Sequence, residues 1–87
     1  MKYILNSTKS YRCDLSRLRR RCVDFEKLER VLDALRQDIP LPHHRKRHLL
    51  GSPGCFEIYV SSNWLLCYQI YQNTIWLLRC GSYSDIH

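Results

Sequence analysis

The sequence has no apolar run of the roughly 18 residues that a membrane-spanning helix needs. Its opening stretch, MKYILNSTKS, holds too short an apolar segment for an export signal. No two of Cys13, Cys22, Cys55, Cys67 and Cys80 are spaced C-x-x-C, and their number is odd. A disulfide framework is therefore not the simplest reading, and reduced thiols in a cytoplasmic protein are. A zinc site from these cysteines with His43, His44, His48 and His87 would lack the usual close paired spacing, so no metal and no cofactor are expected. Most of the cysteines read as small core residues.

Cations are almost missing from the second half. Of 14 Lys and Arg, 13 fall within residues 1–48, and Arg79 stands alone beyond them. That first half also holds six of the eight acids, which leaves it at +7 and the remainder at −1. A basic half set against an apolar half points to a polyanionic partner, nucleic acid or an acidic protein, ahead of a merely solvated face. The length of 87 residues predicts one domain over 1–87 with a single small core. An apolar fraction of 45% and a charged fraction of 25% suit an ordinary globular protein.

In chain order, Lys2 to Asn6 reads as a short strand. Ser7, Thr8 and Ser10 offer N-cap hydroxyls for a helix from Lys9 to Cys22, whose buried stripe is Tyr11, Leu15, Leu18 and Cys22. Arg19, Arg20 and Arg21 fan around its end, where they suit either the helix dipole or a phosphate. Asp24 caps a second helix with the stripe Phe25, Leu28, Val31, Leu32 and Leu35, which Pro40 and Pro42 stop. The two helices form a hairpin. Pro42 to Gly54 reads as a basic loop.

Three closely spaced strands follow: Cys55 to Val60, Trp64 to Tyr71, and Thr74 to Cys80. Such spacing predicts an antiparallel meander. In the last strand, period-two alternation puts Ile75, Leu77 and Arg79 on one face, and Trp76, Leu78 and Cys80 on the other. A charge following Ile75 and Leu77 needs a partner, either Asp85 or Glu57 or a ligand. The fold class is α+β in the order β-α-α-β-β-β, an antiparallel sheet with the helix hairpin on one face.

This order resembles the RelE/ParE superfamily of toxins from bacterial toxin–antitoxin pairs, and most closely the YafQ branch. The likeness rests on PLPHHRKRHLLGSPGCFEIYV, NWLLCYQI and LLRCGSYSDIH, over residues 40–87. The family pattern has a loop ending His-x-Leu-x-Gly, a strand histidine, an Asp-Trp or Asp-Val turn, and a tail Leu-x-Arg-x-Gly-[ST]-His-[SA]-x-Leu-Phe.

The resemblance implies an endoribonuclease that cuts messenger RNA in the ribosomal A site and is silenced by an antitoxin in a higher-order hetero-oligomer. On that likeness His48 stands at the loop histidine as acid or base, and Arg79 stands at the phosphate-binding arginine. Tyr59 replaces the strand histidine, Asn63 the turn aspartate, Tyr83 the tail histidine, and His87 the terminal Phe. Catalysis is accordingly expected from His48, Arg79, Tyr83 and Tyr59. RNA contact is expected from Arg45, Lys46, Arg47, Asn63, Trp64 and His87. The competing readings are a copy weakened by these replacements and a ParE-like inhibitor that binds without cutting.

Overall fold

The computed structural model describes residues 2–21, 24–39, 46–48 and 54–86, with the side chains of 46–48 and Tyr83 left aside. The ends expected at Cys22 and at Pro40 and Pro42 lie outside these residues, as do Arg45 and His87.

β1 (Ile4–Ser7) runs into α1 (Lys9–Arg20) through Thr8. Its hydroxyl oxygen accepts from the Tyr11 amide at 3.1 Å, one of the helix-start donors that have no partner within the helix. α2 (Phe25–Arg36) starts in the same way, with Asp24 Oδ1 accepting from the Glu26 amide at 3.0 Å. It ends before any proline is reached. Asp38 adopts a left-handed conformation with φ 58°. The amides of Asp38 and Ile39 donate back to the carbonyls of Leu35 and Ala34 at 3.2 and 2.8 Å. This double closure is a Schellman motif, and it turns the helix end by itself.

Four further strands and a terminal turn of helix follow: β2 (Lys46–His48), β3 (Cys55–Ser61), β4 (Trp64–Tyr71), β5 (Thr74–Gly81) and α3 (Tyr83–Ile86). The α+β class and the helix pair on one sheet face agree with the sequence reading. Two elements correct it. Lys46–His48, read as part of a loop, is a strand antiparallel to β3. The polar tail after Gly81 carries α3.

The sheet order is β1-β5-β4-β3-β2, and β1 pairs parallel with β5, so the sheet is mixed rather than antiparallel. The parallel pair joins elements from opposite ends of the chain, which no local periodicity reveals.

The core lies between the helices and one sheet face. Tyr11, Leu18, Leu28 and Val31 of the helices meet Ile58, Val60, Leu66, Tyr68, Ile75, Leu77 and Cys80. Phe25 of α2 meets the Trp64 ring edge-on, centroids 6.0 Å apart. Phe56 and Tyr68 stack across β3 and β4 at 5.5 Å. The far face is not bare, since Cys55, Glu57, Leu65 and Cys67 are also buried.

A bulge decides which face each residue of β5 joins. Arg79 registers with Cys67 and Leu77 with Tyr68, which leaves Leu78 with no opposite number on β4. The alternation slips by one residue there. Cys80, 0% exposed, joins Ile75 and Leu77 in the core. Arg79 is shifted to the far face, in register with Cys67 and, through it, Glu57. The expected grouping of Ile75, Leu77 and Arg79 is thereby corrected.

Candidate active site

Past Ser7, β1 no longer covers β5, and α1 takes over that edge. The Thr8 amide donates to the Leu77 carbonyl at 3.0 Å, and the Thr8 hydroxyl donates to the Leu78 carbonyl at 2.9 Å. Nearly two turns further along, Asp14 reaches the edge and accepts the Cys80 amide at 3.1 Å. An unpaired strand edge is thus closed by helix side chains instead of a neighbouring strand.

Asp14 is 3% exposed and is the partner of Arg79. Arg79 Nε donates to its Oδ2 at 2.6 Å and Nη2 to its Oδ1 at 3.2 Å, a two-point fork. Arg17, one turn along α1, adds a third cationic contact at 2.8 Å to Oδ1. Burial pushes the Asp14 carboxyl up, but hydrogen bonds from Arg79 and the Cys80 amide, with the charges of Arg79 and Arg17, outweigh it and hold the group below its ordinary range. The same Asp14 hydrogen bond holds the Arg79 guanidinium above its own. Two guanidinium groups share one carboxylate here, which leaves one surplus positive charge.

This pairing corrects the sequence reading, which named Asp85 or Glu57. The signal for Asp14 was present: it sits three residues after Tyr11 and four before Leu18, a carboxylate inside the buried stripe of α1. Asp85 has another partner. Its Oδ2 accepts from Arg21 Nη1 at 2.9 Å and from the Ser82 amide at 3.2 Å. These bonds, the Arg21 hydrogen bond foremost, lower its pKa to about 2. Gly81 makes room for this approach, because a Cβ there would lie 3.2 Å from Asp85 Oδ2. Two residues of α1's outer end, Arg17 and Arg21, thus flank the start of the tail that carries Tyr83.

Tyr59 lies on the same far face, one step from the Glu57–Cys67–Arg79 row. It registers with Leu65, which registers with Gly81. It is half-buried. The structure therefore brings Arg79, Tyr59 and the backbone of Tyr83 to one end of the sheet. Arg47 registers with Glu57, His48 with Phe56 and Lys46 with Ile58. Asn63 is exposed in the β3–β4 turn and lines a shallow groove with Asp24, Lys27, Ser61 and Trp64.

Trp64 is placed differently from the expectation of RNA contact. It is 6% exposed, and its indole Nε1 donates to Cys80 Sγ at 2.7 Å. A ring so enclosed serves the core, since a base needs an open aromatic face on which to stack.

Two thiols near the site are held protonated. Burial pushes Cys80 up to about 12 against the opposing Trp64 hydrogen bond. Burial and the neighbouring Glu57, whose Oε2 lies 3.8 Å from Cys67 Sγ, push Cys67 up to about 12. Among the described residues no three His, Cys, Asp or Glu converge as a metal site. No helix among them is long and apolar enough to cross a membrane.

The family described as "Bacterial toxin of type II toxin-antitoxin system, YafQ" matches residues 3–87. The fold is similar to that of a metal-bound toxin from Helicobacter pylori, with 31% identity and a TM-score of 0.89 over 100% of both chains. A copper-bound mutant toxin from the same organism matches with 29% identity and a TM-score of 0.90, over 98% of this chain and 99% of that one. The E. coli DinJ-YafQ toxin-antitoxin complex contains a chain with 22% identity and a TM-score of 0.89, over 99% of this chain and 98% of that one. No curated protein sequence matches.

Proposed function

The chain belongs to the YafQ family of bacterial toxins of type II toxin–antitoxin systems, and from that premise we propose that it is an endoribonuclease that cuts messenger RNA at the ribosome. The observation that carries this reading is the arginine of the family tail, Arg79, held beside surplus positive charge at the sheet end that Tyr59 and the tail share.

In this reading the ribose 2′-OH attacks the adjacent phosphorus, and the bond to the 5′-oxygen breaks. The products are a 2′,3′-cyclic phosphate and a free 5′-hydroxyl. Arg79 stabilises the charge that grows on the phosphoryl oxygens. His48 supplies proton transfer, because an imidazole titrates near neutral pH. Tyr83 and Tyr59 take the places of the family's other proton-transfer histidines. A phenol O–H is a hydrogen-bond donor, so the tyrosines suit the acid role, with the proton going to the leaving 5′-oxygen. Arg45, Lys46, Arg47, Asn63 and His87 supply RNA contact. The protein is cytoplasmic, and an antitoxin is its partner, as DinJ is in the complex with YafQ.

The test is induced expression in a bacterial host of the wild type, His48→Ala and Arg79→Ala, with growth followed and mRNA 5′ ends mapped. Arrest with new ends inside reading frames, lost in both variants, supports the nuclease. Arrest without new ends favours the second reading, a ParE-like inhibitor that binds without cutting. Continued growth with protein present in the cell assigns this copy to a weakened nuclease, the reading that tyrosine at positions 59 and 83 favours.

A further inference from the structure

We propose that Asp14 is a positioning residue: it fixes the guanidinium of Arg79 so that only one edge can receive the phosphate. The proposal deepens the nuclease reading above and rests on it for the identity of the anion.

The geometry is unusually complete. Both Asp14 oxygens are saturated, Oδ2 by Arg79 Nε and the Cys80 amide, and Oδ1 by Arg79 Nη2 and Arg17 Nη2. The carboxylate therefore cannot rotate without breaking several bonds. A guanidinium has five N–H donors in one plane. Asp14 consumes two of them, on the side that includes Nε. What remains is the end formed by Nη1 and the outer hydrogen of Nη2. A phosphate that binds Arg79 while Asp14 is in place must be taken end-on, and in the plane that the fork defines.

Burial separates this from a plain structural ion pair. The Asp14 side chain is 4% exposed, whereas the Arg79 side chain keeps 38% of its surface open. The acid is sealed and the base is left reachable. The surplus charge from Arg17 ensures that the acid does not cancel the attraction for an anion. Without the fork, a long side chain just beyond a bulge would sample several rotamers, and few of them would meet the substrate in line. Misplacement of this kind costs about 100-fold in rate.

The experiment compares wild type, Asp14→Asn and Asp14→Glu. The first keeps the shape but loses the charge. The second keeps the charge but moves the fork by one methylene. Thermal unfolding and amide NMR spectra establish the fold of each. The resonance of Arg79 Nε–H, assigned with Arg79→Lys, reads the fork directly, and its exchange with water reads its protection. Single-turnover cleavage is measured on ribosome-bound mRNA. Affinity is measured with a single-stranded RNA carrying 2′-O-methyl ribose throughout, which has no 2′-OH to attack and cannot be cut.

The expected result is a folded variant whose Arg79 Nε–H loses its protection. Cleavage falls about 100-fold, and affinity for the uncut strand changes less than about three-fold, as for an interaction used mainly in the transition state. A folded variant that cleaves like wild type, or that keeps a protected Arg79 Nε–H, overturns the proposal. Unfolding of both variants assigns Asp14 to the fold alone and also overturns it. If wild type cuts no RNA, the nuclease reading fails by itself. The Nε–H signal then still decides whether Asp14 fixes the guanidinium of Arg79.

Discussion

Thr8 and Leu78 stand seventy residues apart in the chain and are joined by a hydrogen bond of 2.9 Å from the threonine hydroxyl to the leucine carbonyl. The same hydroxyl oxygen accepts from the Tyr11 amide. One side chain thus starts a helix and satisfies a carbonyl at the bulge of β5. Thr8→Ala removes both bonds and is expected to cost about 2 kcal/mol, the upper end for loss of an N-cap. Thr8→Ser keeps the hydroxyl and is expected to cost less than half of that. Urea unfolding of the two variants decides it, and equal losses would refute the double role.

Acid should loosen the tail before it unfolds the whole protein. Asp85 has its pKa lowered to about 2, chiefly by its hydrogen bond from Arg21. A carboxylate whose folded pKa is depressed contributes stability that is complete above its unfolded value near 3.9 and lost as pH falls toward the folded value. The window is therefore between about pH 4 and pH 2. Asp14, also lowered, acts in the same direction. Asp85→Asn should be less stable than wild type at pH 6 and should converge on it near pH 2. A constant gap between the two curves would show that the Asp85 charge contributes nothing.

Tyr68 is 0% exposed, and its hydroxyl has no hydrogen-bond partner among the described residues. Burial pushes its pKa up to about 12. An unsatisfied buried hydroxyl costs about 1–3 kcal/mol, so Tyr68→Phe, which keeps the ring stacked on Phe56, should be neutral or stabilising by about 1 kcal/mol. Most core substitutions destabilise. A loss beyond 1 kcal/mol in thermal unfolding would mean that the hydroxyl has a partner after all.

Thiol labelling should follow burial. Cys67 and Cys80, both raised to about 12, should resist iodoacetamide at pH 8 in the native protein, while exposed Cys13 reacts. Peptide mass mapping reads each site. Full labelling of Cys80 under native conditions would contradict its place beneath Trp64.

Local patterns carried much of the fold. The stripes of α1 and α2, the caps at Thr8 and Asp24, and the two tight turns of the meander were legible because each depends on neighbours within a few residues. Arg79 was legible as the charge that needed a partner, and the tail motif marked its family. The identity of its partner was not legible. Asp14 was passed over because a helical stripe is sought among apolar residues, although its position between Tyr11 and Leu18 marked it. The turn aromatic Trp64 fits either RNA contact or a structural place by its motif alone, and the packing of Phe25 and Cys80 around it is visible only in the structure.

The sequence by itself determined the class of the protein, the order of its principal elements and the family it belongs to, since periodicity, capping and motif spacing are properties of short stretches. The tertiary structure decided the faces and the partners. A single unpaired residue at Leu78 moved Arg79 from one side of β5 to the other, and a parallel pairing of β1 with β5 brought α1 to the strand edge where Asp14 could hold it. Both outcomes depend on hydrogen-bond register between segments some seventy residues apart. Register is set by the packing of the whole sheet, so it cannot be read from either segment alone.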